Sequence, residues 1–261
     1  MTRPRSYQTE AIIIKKTKLG EAGRILTLLT PHLGKIQAVA RGVRKTKSKL
    51  SGHLELITHS RVTLARGRNI DTIIGSQAIN SFLEIKGDLI LLSHALYFSE
   101  LVNLFAAENA ENQIVFNLFL DTLKQLGSNT NNELLRRYFE IQLLGAFGYR
   151  PQLRQCVCCN KQLTGNNNTF SSAEGGVLCP SCSAGRSYGY CLSFGCLEAF
   201  NFLQDNDFPA LGSFQLKPAA YQELNLILSG YLRYLLERDI KSAAWLETLK
   251  SLSKQNQASL L

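Results

Sequence analysis

TEAIIIKKTKLGEAGRILTLLTPHLGKIQAVARG, Thr9 to Gly42, contains three β-rich runs separated by turn residues. The runs are TEAIIIKK, GRILTLLT and GKIQAVAR. In the third, Ile36, Ala38 and Ala40 alternate with Gln37, Val39 and Arg41, which is the period of a strand with one buried face. Two more runs follow, HSRVTLARG and NIDTIIG, and Gly20, Gly23, Gly34, Gly42, Gly52 and Gly67 mark the breaks. Five short strands within the first eighty residues cannot build a large sandwich. A small closed or partly open barrel removes their exposed edges. An OB-fold and an SH3-like barrel both satisfy this pattern, and the period alone does not separate them.

Outward from the barrel the period changes. DLILLSHALYFSELVNLFAAEN, Asp88 to Asn109, lacks glycine and proline and is apolar on most faces, so it predicts a buried helix. Asn112 to Leu126 places Ile114, Val115, Leu118, Phe119, Thr122 and Leu123 at helical spacing, ending at Gly127. Asn132 is the expected cap of a third helix running to Phe147, with Gly148 to stop it. Helices resume after residue 182, first over Ser193 to Asn206. A further one begins after Lys217, with Pro218 in its first turn and a stripe of Leu224, Ile227, Leu228, Tyr231 and Leu235. The final SKQNQASLL has little helical support.

Charge is distributed unevenly. Residues 1–80 hold fifteen Lys or Arg against four Asp or Glu, a net of +11, and residues 81–261 hold fourteen against sixteen, a net of −2. The densest stretch is ARGVRKTKSKL, where Arg41, Arg44, Lys45, Lys47 and Lys49 lie within eleven residues with no acid among them. A solvated loop is the plain explanation. A concentrated positive field, however, also raises the local concentration of an anionic partner.

Five of the seven cysteines lie between Cys156 and Cys182. Their odd number, and a start (MTRPRSYQTE) that does not read as a signal peptide, argue against a disulfide framework. Cys156-x2-Cys159 and Cys179-x2-Cys182 are separated by nineteen residues rich in turn triplets, NNN and EGG. Each CxxC closes a tight knuckle, and two knuckles joined by a hairpin present four sulfurs in a tetrahedral array. That is the pattern of a structural zinc ribbon. An iron–sulfur centre would use the same ligand count. Cys158 makes neither usual spacing and reads as a spare thiol, while Cys191 and Cys196 read as small buried residues.

No phosphate-cradling glycine motif and no catalytic constellation is evident. Histidines 32, 53, 59 and 94 are scattered, and none lies near the cysteines where an open catalytic zinc would need one. The expectation is a cytoplasmic protein without enzymatic activity and without a membrane partner, since no run reaches the roughly 18 apolar residues of a span.

A basic barrel, a helical bundle and a four-cysteine insertion together resemble the RecO family of bacterial recombination mediators and DNA-repair proteins. The run Ala11 to Leu50 is similar to that family's opening barrel almost end to end, and ALYFSELVNLF (Ala95 to Phe105) to its first long helix. FEIQLLGAFGYRPQLRQCVCC followed by FSSAEGGVLCPSC is similar to its helix, Gly-Tyr-x-Pro turn and zinc module. The resemblance implies an α+β chain with an N-terminal OB-fold. It implies binding of single- and double-stranded DNA, annealing of complementary strands, and loading of RecA, with RecR and often RecF, onto DNA coated by single-strand-binding protein. Lys35 and Arg41 match the DNA-facing strand and its exit, and Arg44, Lys45, Lys47 and Lys49 continue into a loop suited to tracking phosphates rather than reading bases. One structural zinc ion on Cys156, Cys159, Cys179 and Cys182 is implied as well.

The expected boundaries are residues 1–80 for the DNA-binding barrel, 81–151 for the first helical part, 152–190 for the zinc module and 191–261 for the second helical part. The acidic, apolar-ended tail of single-strand-binding protein calls for an apolar groove with one or two cations. Arg136 and Arg137, beside Leu134, Leu135 and Tyr138, have that composition. Competing readings are an RNA-binding or ribosome-associated OB and zinc-ribbon protein, and a zinc-dependent nuclease or deaminase, which lacks its His-x-Glu signature here.

Overall fold

The computed structural model describes residues 5–44, 50, 52–128, 131–163, 167–186 and 188–258. Its strands are β1 (Ser6–Leu19), β2 (Gly23–Thr30), β3 (Gly34–Ala40), β4 (His59–Ala65), β5 (Asp71–Asn80), β6 (Asn168–Ser171), β7 (Gly176–Leu178) and β8 (Tyr190–Leu192). Its helices are α1 (Leu83–Gly87), α2 (Leu89–Phe105), α3 (Gln113–Gln125), α4 (Asn132–Ala146), α5 (Pro180–Ser183), α6 (Phe194–Asp205), α7 (Phe208–Leu211), α8 (Pro218–Leu236) and α9 (Lys241–Ala258). They form two compact units, Met1–Ser128 with Lys241–Leu261, and Asn129–Ile240.

In the first unit β1 to β5 close into a barrel in the order β1-β2-β3-β5-β4, with β4 returning to β1. β3 and β5 run parallel, Ala38 opposite Asp71 and Val39 opposite Thr72. The other pairings are antiparallel. This Greek-key closure is the OB-fold and decides between the two barrels that the period left open. Inside it lie Ala11, Ile13, Leu26, Leu28, Ile36, Ala38, Ala40, Val62, Leu64 and Ile73. The three residues read as sharing a face of β3, Ile36, Ala38 and Ala40, point inward together, and the two small alanines leave room for the larger Leu and Ile side chains of the other strands. Each Leu or Ile removed from water here stabilises the barrel by about 1.5–3 kcal/mol.

β1 does not alternate: Ala11, Ile12, Ile13 and Ile14 are all buried. α2 covers the outer face, and Ser99 Oγ donates to the Ile14 carbonyl at 2.9 Å. Asp88 caps α2 by accepting from the Ile90 and Leu91 amides. The helix ends at Phe105, short of the expected Asn109, because Ala106 turns extended and the Asn109 amide donates to the Lys35 carbonyl at 2.9 Å. α9 belongs to this unit too. The Glu100 carboxylate of α2 accepts from the backbone amides of Lys241 (3.1 Å) and Ser242 (2.8 Å), which caps α9 from a distant part of the chain. With that start fixed, α9 runs on through Ala258, past the point where the sequence shows little helical support.

The second unit packs α4, α6 and α8 with a three-stranded sheet in the order β7-β6-β8. Phe170 of β6 anchors it, stacked 5.9 Å from Phe200 and edge-on 5.4 Å from Tyr231. α4 is capped by Asn131, one residue before the expected Asn132, through bonds from the Glu133 and Leu134 amides. It ends at Ala146 with Phe147 as its C-cap, and Gly148, whose φ of +81° is left-handed, stops it as expected. Packing divides the chain differently from the sequence boundaries, because α1, α2, α3 and α9 belong with the barrel. The chain is thus α+β, with an OB barrel, a helical part and a four-cysteine cluster.

Candidate nucleic-acid interface and cysteine centre

The barrel places the sequence-predicted cations differently. Lys35 on β3 is half-buried, and its Nζ donates to the Asn103 carbonyl at 2.8 Å. Burial lowers its pKa, and Glu108 offsets part of that shift. Arg41 and Arg44 are exposed on the turn that leaves β3. Gly42 adopts φ +65°, Val43 enters the barrel core, and the Arg44 amide donates to Ala22 at 3.2 Å. The head of the basic run is therefore a turn pinned against the β1–β2 connection. Lys45, Lys47 and Lys49 lie outside the described residues.

Two cations that the sequence reading passed over sit in the β4–β5 connection, Arg66 and Arg68, both exposed. The Arg66 guanidinium lies 4.6 Å from the centroid of the Tyr7 ring. The Tyr7 hydroxyl donates to Asp71 Oδ2 at 2.6 Å, and its pKa rises to about 12 through burial first and the Asp71 bond second. The stretch ARGRN, with two arginines astride a glycine, was the available signal.

Arg136 and Arg137 lie inside the second unit, which corrects their reading as an exposed docking surface. Their relative exposures are 2% and 1%. Arg136 pairs with Glu133 at 3.1 Å, and Arg137 with Glu140 at 2.8 Å. Helical spacing put the cations beside apolar neighbours, but that face of α4 points inward.

The four predicted sulfurs do converge. The ligand atoms of Cys156, Cys159, Cys179 and Cys182 all lie within 4.8 Å of one another. The first knuckle is closed by bonds from the Cys156 amide to the Lys161 carbonyl (2.8 Å) and from the Asn160 amide to the Cys156 carbonyl (2.9 Å). In the second, the Cys182 and Ser183 amides both reach the Cys179 carbonyl at 3.0 Å. The β6–β7 hairpin joins the knuckles, turning through the predicted EGG triplet, while Asn168 of the NNN triplet opens β6.

Burial alone would raise the Cys156 thiol. The backbone amides of Cys179, Cys159 and Cys158 outweigh it and bring the pKa down to about 6. The Cys179 amide lies 3.3 Å from Cys156 Sγ. Such amides favour thiolate, the form that ligates a metal. The Cys182 thiol is displaced upward by hydrogen bonding to Cys159 and Cys179, as happens when neighbouring thiols share protons. The donor set fits a soft or borderline metal ion held by four sulfurs. Cys158 is exposed and outside this set, and Cys196 is buried as expected. Cys191 is exposed on β8, contrary to the expectation of burial. Among the described residues no helix is long and apolar enough to cross a membrane.

Comparison with known proteins agrees with this architecture. The family model for the N-terminal part of recombination protein O matches residues 1–82, and that for its C-terminal part matches residues 86–244. The DNA repair protein RecO of Dehalococcoides mccartyi strain 195 is 45% identical over 249 residues, covering 95% of this chain and 98% of that protein. The Roseiflexus RS-1 protein of the same name is 40% identical over 250 residues, covering 96% and 88%. That of Symbiobacterium thermophilum is 33% identical over 248 residues, covering 94% and 98%.

Proposed function

Because the chain belongs to the RecO family of DNA repair proteins, we propose that it acts in DNA recombination and repair as a DNA-binding mediator without catalytic chemistry. It binds single- and double-stranded DNA, anneals complementary strands and, with RecR and in some settings RecF, loads RecA onto DNA coated by single-strand-binding protein. The observation that carries this reading is the pinned, exposed Arg41–Arg44 turn at the head of an acid-free basic run. The turn sits on a barrel region with fifteen cations and four acids. Phosphates are the counter-ions such a surface lacks.

The candidate contacts are Lys35, Arg41, Arg44, Lys45, Lys47 and Lys49, within a DNA-binding region spanning residues 1–80. The cysteine centre is read as one structural zinc, on Cys156, Cys159, Cys179 and Cys182. Zinc supplies folding energy to a polar segment that has little core of its own. Four sulfurs complete a tetrahedral shell and leave no position for an activated water.

Fluorescence anisotropy with a labelled single strand across a salt series tests the reading. Six phosphate contacts give a log–log slope of about −4 to −5, at about −0.7 per contact. Arg41→Glu/Arg44→Glu weakens binding to all sequences alike and flattens the slope. Wild-type affinity and slope in that folded variant would refute the reading. RNA of equal length separates it from the RNA-binding alternative.

A further inference from the structure

Beside the β3–β5 seam the first unit contains a cavity of about 460 Å³, lined among others by Tyr7, Gln37, Arg66, Asn69, Asp71 and Glu108. Close backbone packing fixes the segments that carry its lining residues. Gly34, at φ +66°, packs so closely that a Cβ there would stand 2.0 Å from the Ala110 carbonyl oxygen. The neighbouring Asn109 amide is bonded to Lys35. In the β4–β5 connection, a Cβ on Gly67 would stand 1.9 Å from the carbonyl oxygen of Ile70, which lines the cavity, and the Gly67 amide donates to Asp71 Oδ1 at 2.9 Å. The cavity segments bearing Leu33, Asn109 and Ile70 are therefore held by tight backbone packing.

Its chemistry differs from that of the surrounding basic surface. Asp71 accepts from Tyr7 and Gly67, and Glu108 accepts from Gln37 Nε2 at 2.6 Å. Carboxylate oxygens hold about four acceptor positions between them, so both groups retain capacity. Two carboxylates repel a phosphate. They favour a neutral group with N–H donors. Arg66, held over the Tyr7 ring, adds a planar guanidinium of the kind on which bases stack.

We propose that this cavity receives one unstacked nucleobase bearing an exocyclic amino group, with Asp71 and Glu108 accepting from that group and Arg66 as the stacking platform. The inference rests on the DNA-binding reading above and adds a base-reading site to a surface otherwise reserved for phosphates. Cytosine presents an amino donor where thymine presents a carbonyl acceptor, so the two pyrimidines are discriminated by the same carboxylates.

The test is competition between oligo(dC) and oligo(dT) of equal length at near-neutral pH and fixed salt, using the full chain. The wild type favours oligo(dC) by about fivefold, the low end for one well-placed base contact. Glu108→Ala and Asp71→Asn each bring the ratio toward one without changing the salt slope. Asp71 also braces the β4–β5 turn, so if Asp71→Asn does not fold, Glu108→Ala on its exposed segment decides the matter. Arg41→Glu/Arg44→Glu weakens both oligonucleotides and keeps the ratio. Equal wild-type affinity for the two, or an unchanged ratio in folded Glu108→Ala, overturns the base site alone. Absence of binding to either overturns the DNA reading and the base site with it.

Discussion

Arg137 and Glu140 meet across one turn of α4, Nη1 to Oε2 at 2.8 Å, with side-chain exposures of 1% and 0%. A pair so fully removed from water carries a large desolvation cost, which its mutual attraction only offsets. Removing one partner leaves an uncompensated buried charge. Glu140→Ala should therefore lower the unfolding free energy by about 3–5 kcal/mol, while the paired change Arg137→Met/Glu140→Leu should be far milder. Chemical denaturation of both variants measures the difference. Equal losses in the two would show that α4 depends on packing volume there and not on charge pairing.

Metal content separates the ligands from their neighbour. Serine at Cys156, Cys159, Cys179 or Cys182 should each abolish one bound ion per chain, because among the described residues these four sulfurs form the cluster. Cys158→Ser should keep the ion, since that thiol is exposed and outside the set. Loss of the ion should loosen the β6–β7 hairpin and its knuckles, as the binding energy of a structural metal is folding energy. Elemental analysis with hydrogen exchange over this segment reads both effects. A full complement of metal in Cys179→Ser would require another ligand set.

Gly34 is a backbone requirement of the barrel. Its left-handed φ costs an alanine about 1–2 kcal/mol, and the added Cβ would collide with Ala110. Gly34→Ala should destabilise the chain by more than about 2 kcal/mol and displace the 106–110 segment from β3. Gly20 also has positive φ, +56°, but open space around it. Gly20→Ala should therefore show the smaller, purely conformational loss. Thermal unfolding of the two variants compares them directly.

His59 gives the barrel a pH dependence. Its Nε2 lies 3.1 Å from Glu10 Oε2, and its ring meets Phe116 edge-on. Burial lowers its pKa, and the bond to Glu10 does not fully compensate. The unfolded chain then takes up a proton more readily than the folded one below the ordinary value of about 6.5. This contribution is complete above about pH 6.5 and is lost as pH falls through the folded pKa. His59→Asn should flatten that part of the stability–pH curve. An unchanged slope in the variant would assign it to other groups.

Much of this was legible in the sequence because it depends on local chemistry. The strands of the barrel announced themselves by short β-rich runs between glycine breaks, with alternation clearest in β3, and the cysteine centre by two CxxC pairs at hairpin distance. Those signals act over a few residues, where chain geometry allows few alternatives. The charge asymmetry is likewise a property of composition, and the concentration of cations in residues 1–80 is read without any coordinates.

What needed the tertiary structure was everything set by contacts between distant segments. The parallel β3–β5 seam made the barrel an OB-fold, and no local pattern encodes which strands become neighbours. Glu100 caps α9 from α2, more than a hundred residues away in the chain, so the last helix joined the barrel and not the second helical part. Lys35 is tied to Asn103 while Arg41 stays exposed, although both are cations of one strand and its exit. Arg136 and Arg137 had the composition of a surface and turned out to be interior. Sequence fixes which groups are present and their local periodicity. Burial and partnership depend on which faces of distant elements meet, and only the folded chain determines that.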